Sequence, residues 1–405
     1  MFERMIYKTK SQITKELCPY CFEYFHIKDT PFRCISPQNI CEWEKDEIYE
    51  RFWEDSRKRG RVLEPEGIFS ERFQNHRKCD KCENITHKRL CPHCHKELPA
   101  PTGEYKNHIY AVIGGANAGK SHYIAILINQ IRNELGPKMN LLLDPLDDDT
   151  RDRYGEEFYK PIFEKHTVIQ KTQSGTTNKS VRMPLIYSVS FTKDTLFEKN
   201  KIVKYLTLVF FDTAGEDLNS EDTMATVNKY IYRSDGIIML IDPLQIHQVR
   251  DKLAGKVAMP KGISSESIDI LSRTTHLIEK GRGLKPTEKI KIPLAVSFTK
   301  MDAVDELLDD SMQLKHQSRH HNGFDEDDAE AVSSEMKSLL ISWGEQSIVQ
   351  MAETRFKDHA FFGLSALGCN PHVNSKIPKV IPRRVEDPFL WLLSQSGILK
   401  NSHEK

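Results

Sequence analysis

The sequence predicts an α/β protein in which a mostly parallel sheet is flanked by helices and is preceded by a small cysteine-rich module. From about residue 104 onwards, apolar segments of strand length alternate with helical patterns. This alternation is typical of parallel strands that helices cover on both faces. Eight of the nine cysteines lie between Cys18 and Cys94. The first quarter of the chain therefore differs chemically from the rest.

The change in composition places a domain boundary near residue 103. Residues 99–103, PAPTG, have the composition of a stiff connector. We expect residues 1–103 to form the cysteine-rich module and residues 104–400 to form the α/β domain. Two stretches, near 138–182 and 306–331, exceed what a minimal α/β domain needs, and we interpret them as insertions.

The elements of the α/β domain follow from apolar runs and helical spacing. Strands are expected at 108–113, 183–191, 205–211, 236–241, 291–298 and 359–364. The clearest helix follows Lys120, where apolar residues recur at helical spacing up to Leu135. Gly136 and Pro137 are expected to end this helix.

The charge balance excludes a global attraction to nucleic acid or to an anionic membrane. Basic and acidic residues both number 58, so the formal net charge is zero. The N-terminus is charged throughout and shows no apolar segment of the kind found in secretory signals. The longest apolar runs fall far short of the roughly 20 residues that a membrane-crossing helix needs. We expect a cytoplasmic protein without a membrane span.

Residues 114–121, GGANAGKS, match the phosphate-binding pattern GxxxxGK[ST]. A predicted strand precedes them and a predicted helix follows. This arrangement lets backbone N–H groups surround a phosphate at the positive end of a helix. Lys120 is expected to reach the β- and γ-phosphates and Ser121 to bind Mg²⁺. The loop residues expected to contact the nucleotide also include Gly114, Asn117, Ala118, Gly119 and His122. A chance glycine-rich turn is the disfavoured alternative.

A second string, DTAG at 212–215, follows the predicted strand at 205–211. Asp212 could hold a Mg²⁺-bound water there, and the N–H of Gly215 could contact the γ-phosphate. Without the 114–121 loop, an ordinary turn after a strand would be the better interpretation.

Two further strings could recognise guanine. In TKMD at 299–302, the carboxylate of Asp302 could accept hydrogen bonds from the ring N–H and the amine of guanine. The stem of Lys300 could lie along the base, and Thr299 occupies the supporting position. Ser365, Ala366 and Leu367 follow another predicted strand and could offer a backbone N–H to the guanine carbonyl.

These four strings, in this order and each at the end of a predicted strand, resemble the Ras-like and translation-factor class of P-loop GTPases. The resemblance covers about residues 104–398. It implies a Ras-like fold, binding of GTP and GDP with Mg²⁺, hydrolysis of GTP to GDP and phosphate, and signalling to a protein partner through switch loops. The combination of GKSHYIAILI, DTAGED and a terminal DPFLWLL helix behind a cysteine-rich N-terminus also resembles the bacterial double-GTPase families of predicted conflict systems.

The sequence departs from the GTPase pattern at the position that usually orients the attacking water. Glu216 stands where Ras-like members carry glutamine. Its charge would repel the γ-phosphate, so we expect slow hydrolysis that awaits a partner. The switch threonine expected to cap Mg²⁺ is Thr176 or Thr177, with Thr172 behind them. Thr299 replaces the commoner asparagine, and guanine preference should survive this change.

The cysteines predict one or two zinc ions. Cys79, Cys82, Cys91 and Cys94 form two CxxC motifs with the spacing of a short zinc ribbon. Cys18, Cys21, Cys34 and Cys41 could form a second site. An interleaved arrangement, in which Cys18 and Cys21 share a metal with the last CxxC motif, is the open alternative. Disulfides are disfavoured because nothing marks the chain as secreted.

The cysteine-rich module carries acidic and basic residues in nearly equal density, which favours a structural or protein-docking role over nucleic-acid binding. We interpret His95 as an exposed residue in preference to a zinc ligand. His316, His320 and His321 are interpreted as part of a flexible polar loop in preference to a metal site. The leading hypothesis is a regulatory GTPase. The alternatives are a nucleotide-gated nucleic-acid-binding protein and a GTP-binding scaffold without turnover.

Overall fold

The computed structural model describes residues 15–65, 75–99, 102, 107–115, 117–169, 184–193, 201–210, 224–260, 267–320, 323–369 and 376–399. Two compact units can be distinguished. Unit 1 comprises residues 1–108 with 204–207, and unit 2 comprises residues 109–203 with 208–405.

Thirteen strands occur among these described residues. They are β1 Lys15–Leu17, β2 Tyr24–His26, β3 Phe32–Arg33, β4 Val62–Leu63, β5 Arg77–Lys78, β6 Ile85–Thr86, β7 Asn107–Gly114, β8 Leu141–Pro145, β9 Leu185–Lys193, β10 Lys201–Phe210, β11 Gly236–Ile241, β12 Leu294–Phe298 and β13 His359–Gly363.

The α-helices of the described residues are α1 Glu47–Trp53, α2 Lys120–Gln130, α3 Gly136–Met139, α4 Asp148–Arg153, α5 Met224–Tyr232, α6 His247–Leu253, α7 Ser267–Arg282, α8 Glu326–Ser342, α9 Gln346–Arg355 and α10 Asp387–Gln395. Two segments are π-helical, Ile131–Leu135 and Tyr154–Glu164. Short 3-10 helices cover Ile27–Asp29, Pro243–Gln245, Met301–Leu307 and Gln313–Lys315.

Unit 1 contains little regular structure. Its strands are two or three residues long and pair antiparallel as β1 with β2, β3 with β4 and β5 with β6. One core cluster contains only two apolar side chains without sulfur, Phe32 and Leu63, beside buried cysteines. A cluster of this size buries little apolar surface, so additional cross-links are expected to stabilise it.

The helix α1 depends on Asp46, which is buried just before its first residue. One carboxylate oxygen of Asp46 accepts a hydrogen bond from the N–H of Tyr49 at 2.9 Å and from the imidazole of His95 at 2.8 Å. The other oxygen pairs with Arg33 at 2.6 Å. Burial opposes the charge of this carboxylate, but the hydrogen bonds hold the pKa of Asp46 below its usual range.

The seven-stranded sheet has the order β13-β12-β11-β7-β10-β9-β8, with β7 in the centre. The pairs β7–β11, β11–β12 and β12–β13 are parallel, and β8 runs antiparallel to β9 at one edge. All six residues of β11 are buried, as expected for a parallel strand covered on both faces. The prediction of an α/β fold with a mostly parallel sheet is confirmed.

The stretch near 138–182 contributes an edge strand that was not predicted. Its segment at 141–145 forms β8 and pairs with β9. The following acidic residues begin α4, where the carboxylate of Asp147 accepts a hydrogen bond from the N–H of Thr150 at 2.6 Å. Farther along, the hydroxyl of Tyr154 donates to the carbonyl oxygen of Ala125 on α2 at 3.0 Å. The described part of this insertion is therefore built onto the sheet.

The prediction that Gly136 and Pro137 end the helix after Lys120 is wrong. The helical chain continues from α2 through the π-helical segment and α3 to Met139. Proline is tolerated because it occupies the first turn of α3. Gly136 permits a tight return of the chain, since a Cβ atom there would lie 2.6 Å from the carbonyl oxygen of Leu141.

Candidate nucleotide site and cysteine clusters

The candidate nucleotide site begins with a row of strand ends at one edge of the sheet. In the parallel registers, Gly114 lies opposite Leu240, and Ile241 lies opposite Phe298. Phe298 in turn lies opposite Gly363. The residues that follow β7, β11, β12 and β13 therefore emerge side by side. Such carboxyl-end edges are where ligands bind in open α/β sheets.

The 114–119 loop leaves β7 and turns directly into α2. Gly114 is needed because a Cβ atom there would lie 2.4 Å from the carbonyl oxygen of Leu240. Gly119 precedes the helix with φ +86°, and Asn117 also has a positive φ of 62°. The backbone thus curls tightly before Lys120, and Ala118 is buried. This curled backbone can present N–H groups to an anion.

Lys120 is the first residue of α2 and is only 7% exposed. Its ammonium donates hydrogen bonds to the carbonyl oxygens of Gly114 and Gly115, both at 3.1 Å. The positive charge is therefore held within the loop at the N-terminus of α2. Half-buried Ser121 and His122 follow in the first turn of the same helix.

The strings 299–302 and 365–367 meet at the neighbouring strand ends. The hydroxyl of Ser365 donates a hydrogen bond to the carboxylate of Asp302. The N–H of Met301 donates to the carbonyl oxygen of Leu364 at 3.2 Å. Buried Thr299 is fixed to β11, because its hydroxyl donates to the carbonyl oxygen of Ile241 at 3.2 Å. Half-buried Ala366 and Leu367 continue directly from Ser365.

Asp242 is a site residue that the sequence analysis missed. It follows β11 and is buried, and its carboxylate pairs with the ammonium of Lys300 at 2.6 Å. The other oxygen accepts a hydrogen bond from the N–H of Leu244 at 2.9 Å. The available signal was an aspartate directly after a wholly apolar strand, at the same edge as the other strings. Asp242 thus orients the lysine stem predicted to lie along a base.

Five predicted site residues lie outside the described residues: Asp212, Gly215, Glu216, Thr176 and Thr177. Their predicted roles stay predictions.

Two consecutive arginines support the 365–367 string. Arg383 pairs with Asp305 at 2.6 Å, and its backbone exchanges two hydrogen bonds with that of Ser365, both at 2.9 Å. Arg384 is fully buried and pairs with Asp328 and Asp387, each at 2.8 Å. The predicted base-binding edge therefore rests on a buried ion network that sequence analysis did not identify.

His320 belongs to this buried network, and the prediction of a flexible polar loop is wrong for this residue. It lies near Asp328 and Asp387 at distances compatible with metal binding. However, its Nδ1 accepts a hydrogen bond from the N–H of Asp325 at 3.0 Å, which places the ring proton on Nε2. That nitrogen faces Asp387 at 3.4 Å. Because both carboxylates already pair with Arg384, the arrangement fits an ion network better than a metal site.

The cysteines of unit 1 form two groups of four. One contains Cys18, Cys21, Cys91 and Cys94, and the other contains Cys34, Cys41, Cys79 and Cys82. In the first group, Sγ atoms lie 3.9 Å apart for Cys18 and Cys94 and 3.7 Å apart for Cys21 and Cys91. In the second group, the Sγ atoms lie 3.6 Å apart for Cys34 and Cys82 and 3.9 Å apart for Cys41 and Cys79. Four sulfurs bound tetrahedrally to zinc lie about 3.8 Å apart, so both groups fit a Zn²⁺ ion.

The three CxxC motifs share one backbone geometry. The residue after each motif has a positive φ of 53–60° and donates its N–H to the carbonyl oxygen of the first cysteine at 2.9–3.0 Å. These donor and acceptor pairs are Phe22 with Cys18, Glu83 with Cys79, and His95 with Cys91. The repeated turn aims both sulfurs of each motif to the same side.

The predicted pairing of the two later CxxC motifs is wrong. Cys79 and Cys82 lie in a different group from Cys91 and Cys94, and the interleaved alternative is the arrangement found. The prediction for His95 is wrong as well, because its side chain is buried against Asp46.

This mixed α/β chain was compared with known proteins by sequence and by structure. The sequence is 26% identical to the "Putative ESX-1 scaffolding and assembly protein SaeC" of Mycolicibacterium smegmatis, over 76% of this chain and 80% of that protein. No family model matches the chain.

Similar solved structures include two GTPases. The Arl6 small GTPase from Trypanosoma brucei aligns with 72% of this chain and 98% of its own, at 12% identity and a TM-score of 0.31. The SRb-GTP/SRX complex from Chaetomium thermophilum aligns with 66% of this chain and 94% of its own, at 14% identity and a TM-score of 0.30. None of these three proteins is described as part of a conflict system. In the portion of the chain that the structure describes, no helix is both long and apolar enough to cross a membrane.

Proposed function

We propose that this protein is a guanine-nucleotide-binding switch that binds GTP with Mg²⁺ in a Ras-like domain of residues 104–400. The observation that carries the proposal is the position of the 114–121 loop, which joins the central strand β7 to α2 with Lys120 held inside its curl. Phosphate binding needs this combination of a curled backbone, a helix N-terminus and an ammonium.

Guanine is the proposed base because the strings 299–302 and 365–367 converge beside this loop. Asp302 accepts from Ser365, and Lys300 is held by Asp242. A carboxylate at this edge selects a base with two adjacent N–H donors, which guanine supplies and adenine does not. The neighbouring ion pairs would keep the carboxylate and the lysine stem in place before the base arrives.

Mg²⁺ binding is proposed for Ser121 and Asp212, and the switch residues are proposed to be Thr176 or Thr177 with Gly215. Glu216 replaces the usual water-orienting glutamine, so we propose slow hydrolysis of GTP. Two structural Zn²⁺ ions are proposed for the two groups of four cysteines in unit 1.

We propose that the switch signals through assembly with other proteins. A role in a bacterial conflict system is the alternative. A relative described as a scaffolding and assembly protein supports protein partners. Nucleic acid is not favoured, because basic residues of unit 1 are paired with acids: Arg57 and Arg59 pair with Asp55, and Arg61 with Glu44.

Binding of nucleotide tests the proposal. GTP and GDP affinities would be measured by calorimetry with the full chain, in Mg²⁺ and in EDTA, for the parent and for Lys120→Ala. We expect binding in the parent that Mg²⁺ strengthens for GTP, and a loss of at least tenfold in the variant. A parent chain that binds neither nucleotide would refute the proposal.

A scaffold that binds GTP without turnover is a second candidate, and Glu216 and the described relative favour it. Single-turnover release of phosphate from GTP separates the two. Release that Lys120→Ala abolishes would establish a GTPase, whereas bound GTP that stays intact over hours would establish the scaffold. Binding of RNA or DNA by the full chain that weakens steeply with added salt would instead support the nucleic-acid alternative.

A further inference from the structure

His122 makes a contact that the proposed function does not use. It is the third residue of α2 and follows directly after Lys120 and Ser121. Its Nε2 lies 3.1 Å from the backbone nitrogen of Ile169 and accepts a hydrogen bond from that N–H. The first turn of the candidate phosphate-binding helix is thus tied to a segment 47 residues later in the chain.

The segment 165–169, which we call the return segment, has two further attachments. The N–H of Thr167 donates to the carbonyl oxygen of Pro161 at 2.8 Å. The N–H of Ile377 donates to the carbonyl oxygen of His166 at 2.8 Å, and Thr167 forms a β-bridge with Lys376. One side of the return segment is therefore fixed to the chain that follows the 365–367 string, and the other is fixed to His122.

The chemistry of His122 suits this contact. An imidazole nitrogen can accept a hydrogen bond only when it carries no proton, so the contact requires the neutral ring with its proton on Nδ1. Burial and the positive charge of Lys300 lower the pKa of His122 to about 4. At neutral pH the ring is therefore uncharged and available as an acceptor.

We propose that His122 is a positioning residue that ties the return segment to the phosphate-binding turn, so that the dwell time of bound nucleotide depends on this hydrogen bond. The inference rests on the proposed function. Through the return segment, this contact links the phosphate side, represented by α2, to residues 376 and 377, which lie farther along the chain from the 365–367 string. With the contact in place, the phosphate-binding turn at the start of α2 is held by the return segment. Release of the nucleotide must then also loosen this attachment.

The test uses two substitutions that differ in where they place an acceptor. His122→Gln puts an oxygen near the position of Nε2, whereas His122→Asn puts one near Nδ1 and cannot reach Ile169. A hydrogen bond of this kind contributes about 0.5–1.5 kcal/mol. Release of a fluorescent GDP analogue from the full chain should be about three- to tenfold faster in His122→Asn than in the parent, and His122→Gln should restore most of the difference.

Exchange of the Ile169 amide hydrogen provides a readout that needs no nucleotide. It should be faster in His122→Asn and protected again in His122→Gln. Equal GDP release in all three chains would overturn the inference while leaving the proposed function intact. Faster GDP release in both variants would show that His122 acts through packing and not through this hydrogen bond. That result would also overturn the inference. A parent chain that binds no GDP would refute the proposed function and the coupling together, and amide exchange would still show whether the contact exists.

Discussion

Each of the two units of this protein is stabilised internally in a different way. Unit 1 contains β1 to β6, each of two or three residues, and its cysteines form two groups that fit zinc, one of them within a small core cluster. Unit 2 has a seven-stranded sheet in which every residue of the inner strands β11 and β12 is buried. Metal coordination would supply in the first unit what apolar burial supplies in the second. The difference implies that each unit can be destabilised by a change that spares the other.

Removal of metal should have the largest effect and should be confined to unit 1. A structural zinc site contributes on the order of 10 kcal/mol to folding. We expect chelation to abolish hydrogen-exchange protection at Cys91 and His95, while amides of β11 stay protected. Cys369→Ser is the control, since this cysteine lies outside both groups and its loss should not change zinc content. Unchanged protection in unit 1 after zinc removal would contradict the comparison.

The reverse experiment removes a buried charge from unit 2. Arg384→Met removes the guanidinium that pairs with both buried carboxylates, Asp328 and Asp387, which should cost about 3–5 kcal/mol of the unfolding free energy of unit 2. Zinc content should not change. Arg383→Met is the matched control, and it should cost about 1 kcal/mol or less because its pair with Asp305 is partly exposed. Urea denaturation measures both unfolding free energies. Equal losses in Arg384→Met and Arg383→Met would refute the distinction between the buried and the partly exposed ion pair.

Acid should weaken unit 2 through His122 as well. The pKa of His122 is about 4 in the folded chain against an ordinary value of 6.5. Below pH 6.5 the unfolded chain takes up a proton that the folded chain does not, so stability falls as the pH drops from 6.5 towards 4. The loss amounts to about 3 kcal/mol. Hydrogen exchange of the β11 amides measures this loss of stability. The His122→Gln variant should lose less stability over the same pH range.

A smaller effect than that of acid is expected at Ser36 in unit 1. The amide of Asn84 donates to Oγ of Ser36 at 2.7 Å, which leaves the hydroxyl hydrogen free for Sγ of Cys82 at 3.2 Å. This hydrogen bond is the main reason why the pKa of Cys82 falls to about 6. Ser36→Ala should lower zinc affinity at this group about 10- to 100-fold in competition with a chelator. The group that contains Cys91 should keep its affinity.

Local features of this fold could be predicted from the sequence, and long-range partners could not. The loop at 114–121 was identifiable because its pattern, the strand before it and the helix after it all lie within about 30 residues. Each CxxC turn was identifiable for the same reason. Which turn shares a metal with which depends on chain folding between them, so Cys79 and Cys91 were wrongly paired.

Other errors have the same origin. Gly136 and Pro137 usually end helices, but here the chain needs Gly136 for a close approach to Leu141 and tolerates the proline in a first helical turn. His320 lies in a polar stretch of sequence, and only its distant partners Asp387 and Arg384 make it a buried residue. Asp242 follows an apolar strand, but its pairing with Lys300 depends on β11 and β12 lying side by side.

Discrimination between GDP and ADP by the full chain tests the central claim most directly. Two hydrogen bonds to a carboxylate distinguish the bases, so GDP should bind at least about 100-fold more tightly than ADP. Asp302→Ala should bring the two affinities close together by weakening GDP binding alone. Equal affinities for GDP and ADP in the parent chain, or a preference that survives Asp302→Ala, would contradict the assignment of a guanine-nucleotide site.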